Sequence, residues 1–161
     1  MIAWIGCDRL DRLCDRIKGK SPTGRSYHDF GSDNLLSIHD NEIISYEVDL
    51  KKTQIILHAQ YKEAGVIRNT NIFFYDVLVH FFQNELRGSI LFDIEKYDIN
   101  LFIKRNSDLL KKKKDYCWPM PYNTEDELAE RLIADQYCYY AISSSYGLNG
   151  WVLAKRYDIC C

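Results

Sequence analysis

Three side chains in this sequence have the chemistry for proton transfer near neutral pH. His39 is followed directly by Asp40, and His80 closes a long aromatic run. A histidine beside a carboxylate serves as a general acid or base because its charge changes near neutrality. Asp76 would share a face with His80 if residues 76–82 were helical. No nucleophile accompanies them, because Gly-x-Ser-x-Gly is missing and no cysteine sits in a catalytic frame. The expected role of His39 and Asp40 is therefore to turn the chain into a sheet, and that of His80 to end a strand. No catalytic residue is assigned. A small-ligand site or minor enzyme using His39, Asp40 and His80 is the alternative.

Other chemistry-bearing groups have local explanations. Ser143 to Ser145 could line a phosphate nest, but serines beside glycine more often form turns. Asp93, Glu95 and Asp98 do not match the spacing of a Ca²⁺ loop. No Cys-x-x-Cys occurs and the four histidines are scattered, so neither a metal nor a cofactor is expected. Lys111 to Lys114 form a basic run, but the whole chain carries a net charge of −2, which opposes general attraction to nucleic acid. Positive charge at the end of a helix complements the helix dipole and accounts for the run.

The pattern with the most specific recognition chemistry is aromatic. The 161 residues include twelve tyrosines, several of them crowded into the last third. Tyr and Trp are enriched at protein interfaces because each buries a large ring while keeping a polar handle. The segment Ser143-Ser144-Ser145-Tyr146-Gly147-Leu148-Asn149-Gly150-Trp151 is a glycine-shaped turn with an aromatic on each side. Tyr146, Asn149 and Trp151, with Trp118, are the candidate partner-binding residues.

These residues need elements to position them. Leu10, Leu13, Cys14 and Ile17 make one face of a helix over 7–18, and residues 19–34 read as a linker. A single domain is expected over 35–161, preceded by this 1–34 segment. Ile44, Tyr46, Val48 and Leu50 alternate with polar residues, as do Ile55, Leu57, Ala59 and Tyr61, which predicts an antiparallel hairpin. Thr70 onward reads as a central strand, with 76–82 either a short helix or a bulged continuation. Gly88–Ile94 is a further strand.

Residues 97–112 have helical spacing, and Thr124-Glu125-Asp126-Glu127 is a capping box for a helix running to about Gln136. Residues 137–143 and 151–157 form a last hairpin. The fold class is α+β: a mainly antiparallel sheet carrying two helices from the C-terminal half, with the N-terminal helix of undefined docking. No stretch reaches the roughly 20 apolar residues that span a bilayer. The six cysteines read as reduced thiols in a cytoplasmic chain.

The order of Ile38-His39-Asp40, paired strands, an aromatic strand ending at His80, Trp118-Pro119 before a capped helix, and Ser144-Ser145-Tyr146-Gly147-Leu148-Asn149-Gly150-Trp151-Val152 resembles small bacterial cytosolic proteins. Some of these are of the kind found as immunity proteins beside polymorphic toxins. The likeness covers about residues 35–157. It implies a non-enzymatic, stoichiometric protein that binds and blocks a toxin domain.

Overall fold

Two-residue alternation sets the first hairpin, whose strands are β1 (Glu42–Asp49) and β2 (Gln54–Glu63). Ile55, Leu57 and Ala59 point inward and are buried, while Ile56, His58 and Gln60 face outward. The Asp49 carboxylate accepts hydrogen bonds from the backbone N–H groups of Lys51 and Lys52 at 3.0 and 2.9 Å, which closes the turn. β1 carries a bulge between Ile43 and Ser45, and this gives Ile44 an exposed position. Residues 38–160 are described, from a computed structural model. The expected N-terminal helix and its linker lie outside them.

β3 (Val66–Tyr75) pairs with β2 from Ile55↔Phe74 out to Glu63↔Val66. At Asp76 the backbone takes a φ of +53°, and the Val77 N–H turns to the Thr53 carbonyl. The chain then resumes as β4 (Val79–Gln83). Residues 76–82 thus form a bulged continuation, the second of the two expected forms. β5 (Ile90–Tyr97) runs three residues beyond its expected end.

Helix α1 (Ile99–Lys113) starts at Asp98, whose carboxylate accepts from the Leu101 N–H at 2.8 Å. The chain leaves α1 through a 3₁₀ turn at Lys114–Tyr116. Helix α2 (Glu125–Ala134) is capped by Thr124, which accepts from the Glu127 N–H at 3.1 Å. The Glu127 carboxylate reaches back to the N–H and side-chain amide of Asn123, both at 3.0 Å. Thr124→Ala is expected to cost about 1 kcal/mol, read as a lower denaturant midpoint at unchanged slope.

β6 (Cys138–Tyr146), β7 (Asn149–Ala154) and β8 (Arg156–Cys160) complete the described chain. All pairings are antiparallel, in the order β4-β7-β6-β5-β1-β2-β3-β8. The two end strands are prolongations of inner ones, since β4 continues β3 and β8 continues β7. Tyr75↔Arg156 and Val79↔Leu153 therefore belong to one long strand pair. The Lys155 N–H to the Tyr75 carbonyl and the Leu78 N–H to the Leu153 carbonyl bridge its corner. The sheet curls back on itself as a result.

The curl creates two apolar regions. Ile55, Leu57, Ile72, Phe74, Leu91, Ile142 and Val152 fill the concave side. On the opposite face of β6 and β7, Tyr139, Trp151 and Leu153 pack against Ile99, Phe102 and Leu110 of α1 and Leu128 and Leu132 of α2. The period of two along β6 and β7 thus feeds both regions. Both helices sit at the Tyr139–Trp151–Leu153 end of the sheet.

Candidate functional site

The two histidines have separate settings. His39 and Asp40 occupy the turn before β1, with Asp40 at a φ of +65°. Their side chains pair at 2.8 Å, and both are open to solvent. The His39 ring lies edge-on to Phe92 of β5 at 4.8 Å. Asp40 donates its N–H to the Leu91 carbonyl, and the neighbouring Asn41 is buried, with its amide on the Thr70 hydroxyl at 3.3 Å. This pair fastens the chain to β5.

His80 instead lies half-buried on β4, its ring 5.0 Å from Phe82. Phe82 meets Tyr46, whose hydroxyl donates to Glu85 at 2.9 Å. Burial pushes the His80 pKa below its usual 6.5, with Glu85 opposing. The sign of the linkage follows: the unfolded chain binds the proton more readily than the folded one, so stability falls as pH drops below 6.5. Thermal midpoints are expected to decline over that range, and His80→Gln should flatten the decline. Asp49 and Glu127 have lowered carboxyl pKa values, so they act with the same sign at more acidic pH, below the ordinary carboxylate range.

The four aromatic and turn residues also divide. Trp151 is only 5% exposed and sits between sheet and helices. It does not present its ring to solvent, because on β7 it alternates with Val152 and takes the helix-covered face. Trp118 is half-buried, 6.1 Å from Trp151, with the Lys113 ammonium 5.3 Å over its ring. Asn149 is spent on the turn, accepting from the Ser144 N–H at 2.9 Å and donating to the Gly147 carbonyl at 2.8 Å. Tyr146 alone of the four is well exposed, at 55%.

Groups that could have held an ion or anion are engaged locally. The Glu95 carboxylate accepts from the Tyr97 hydroxyl at 2.6 Å, and Asp93 accepts from the Ile94 N–H at 2.7 Å. The Ser144 hydroxyl donates to the Leu148 carbonyl. Lys114 donates to the Asn123 carbonyl and lies over the Tyr122 ring. Among the described residues, no three His, Cys, Asp or Glu side chains converge as a metal site. No helix among the described residues is long and apolar enough to cross a membrane.

The register draws Tyr146 into a wider surface. Tyr146 pairs with Ile90, Ile90 with Glu42, Glu42 with Gln60, and Gln60 with Asn69. Cross-strand partners share a face, so these five form one row across five strands. The next row runs Ser45–His58–Asn71. The rows are tied laterally, with Gln60 donating to Asn69 at 2.8 Å and His58 Nδ1 2.7 Å from the Asn71 side-chain oxygen. Ile44, at 54% exposure, sits beside them on the β1 bulge. The packed contacts of both helices lie elsewhere, around Tyr139, Trp151 and Leu153. No protein family, no curated protein and no solved structure matches this chain.

Sequence reasoning missed Ile44, Ile90 and the amide ladder as a surface. Strict alternation assigned Ile44 to the inner face, whereas the bulge turns it out. Which strands are neighbours depends on long-range pairing that local patterning does not encode.

Proposed function

We propose that this chain is a non-enzymatic protein-binding module that acts in the bacterial cytoplasm as an immunity protein, neutralising a toxin domain. The observation that carries the binding reading is the exposure of Tyr146 and Ile44, at 55% and 54%, clear of the packed contacts of both helices. An exposed aromatic and an exposed aliphatic beside a polar amide ladder match the anchor-and-rim composition of protein interfaces. The glycine turn supports the anchor, since Gly147 and Asn149 fix the backbone from which Tyr146 projects. The toxin-blocking role comes from the resemblance of residues 35–157 to immunity proteins.

The test is capture from host lysate and secreted fraction with the purified chain as bait, followed by binding measurements on the recovered partner. One stoichiometric protein is expected. Tyr146→Ala should weaken its binding at least about tenfold, the effect of losing a central anchor, while the thermal midpoint stays unchanged. If Tyr146→Ala and Ile44→Ala both bind as well as the parent chain, this face is not the interface.

A further inference from the structure

The loop from Asn84 to Ser89 joins β4 to β5 and is fastened at both ends. Near its start, Glu85 accepts from the Tyr46 hydroxyl of β1 at 2.9 Å. At its end, the hydroxyl of the buried Ser89 accepts from the Leu148 N–H at 2.9 Å, in the turn that carries Tyr146. The Leu86 carbonyl connects the two ends, because it accepts from the Ser89 hydroxyl at 2.6 Å and from the Ser89 N–H at 3.2 Å. Asn84 and Gly88, at φ of +57° and +80°, flank Glu85 and Leu86. The Leu86 side chain is 53% exposed. Hydrogen bonds, and not a buried apolar side chain, hold this part of the loop.

His80 stands beside the Tyr46 attachment. Its ring is 5.0 Å from Phe82, and the Phe82 ring is 5.1 Å from Tyr46. Among the described residues, the half-buried His80 side chain makes no hydrogen bond. β7 presents the apolar Val152 at the paired position. From β1 comes Tyr46, whose hydroxyl pKa is raised by its bond to Glu85 and by burial. From the loop come Glu85, the charged group that acts on His80, and further along the exposed Arg87. Burial disfavours a charged imidazole here and Glu85 favours it. One carboxylate thus has two claimants. A neutral His80 leaves it to Tyr46, and a charged His80 competes for it.

We propose that this loop is an acid-operated latch on the binding surface: a proton on His80 draws Glu85 off the Tyr46 hydroxyl, shifts Leu86, and loosens the grip of Ser89 on the Tyr146 turn. The inference rests on the protein-binding reading and adds regulation to it. The exchange is favourable because a carboxylate gains more from an imidazolium, where both partners are charged, than from a neutral hydroxyl. Burial keeps His80 neutral at neutral pH, so the latch is shut there and opens in acid. Partner binding is then strongest near neutrality and weakens on acidification.

The test follows the backbone amides of Tyr146 and Leu148 and the ring of His80 by NMR, in the full chain, from about pH 7.5 to about pH 5. Both amides are expected to shift with the midpoint of the His80 ring. His80→Gln should abolish that shift. Glu85→Gln leaves Tyr46 an acceptor but removes the charge, so it should abolish the amide shift while His80 titrates at a lower pH than in the parent chain. Amides that stay still while His80 titrates overturn the latch, as does a His80 ring that takes no proton in this range. A shift that survives in His80→Gln also overturns it, since another histidine such as His39 or His58 would be its source. Affinity for the captured partner should fall about fivefold over the same range, a typical coupling between two sites, and His80→Gln should remove that fall. A turn that responds to His80 with no change in affinity overturns the regulation. Failure to capture any partner removes the protein-binding reading, and the amide shifts still decide the latch.

Discussion

Trp151→Ala is expected to remove about 4 kcal/mol of folding stability, the range for emptying a buried large aromatic. Trp151 joins the sheet to the helices. Its ring stands edge-on to Phe102 of α1 at 5.1 Å, lies near Tyr139 of β6 at 6.2 Å, stacks with Phe81 of β4 at 6.1 Å, and meets Trp118 after α1 at 6.1 Å. Alanine would leave a cavity bordered by all four rings. Whole domains are stable by only about 5–15 kcal/mol, so the loss takes a large share. The thermal midpoint should fall by roughly 10 °C or more. Trp151→Phe should recover part of this by restoring a ring against Phe102. A loss below about 1 kcal/mol would mean that the helices do not depend on this cluster. Reduced partner binding by Trp151→Ala consequently reports unfolding, and only exposed positions such as Tyr146 report the interface.

Local chemistry made much of the framework legible. Alternation marked β1 and β2, the Thr124 box marked the start of α2, and helical spacing placed α1 to within two residues at its start. These signals come from neighbours along the chain, which is why they survive without tertiary context. The closing of the sheet is different in kind. It depends on β3 and β7 each passing a corner, at Asp76 and Lys155, and continuing against a new partner. Nothing in either segment names its distant neighbour.

The same limit explains the functional residues. Tyr146 and Trp151 looked equivalent in sequence, as large aromatics flanking one turn. Their difference arises from α1 and α2, which cover one end of β6 and β7 and stop short of the other. The tyrosine excess divides likewise: Tyr139 and Tyr140 are 4% and 2% exposed and face opposite sides of β6, one toward each apolar region. Burial pushes the Tyr140 hydroxyl pKa well up. That tyrosine is a core group rather than a recognition handle.

Gly147→Ala should cost about 3 kcal/mol, whereas Gly65→Ala, at nearly the same backbone angle, should cost about 1 kcal/mol. Both glycines turn a hairpin with a positive φ, +82° and +81°, so alanine carries a left-handed penalty at each. Their surroundings differ. A Cβ at Gly65 would meet nothing within 4 Å, but one at Gly147 would sit 2.1 Å from the Ser89 hydroxyl oxygen and 2.9 Å from its Cα. Ser89 cannot yield without further loss. It is 2% exposed, its hydroxyl donates to the Leu86 carbonyl at 2.6 Å, and it accepts from the Leu148 N–H at 2.9 Å. Displacing it strips a buried N–H of its partner. The contact links the β6–β7 turn to the loop before β5, and thereby fixes the backbone on both sides of the Tyr146–Ile90 pair. Gly147→Ala should therefore weaken partner binding even at temperatures where the chain remains folded, while Gly65→Ala leaves the Tyr146 contact intact. Chemical denaturation of the two variants side by side separates the terms. Equal losses would mean that only the backbone angle matters and that Ser89 does not brace the turn.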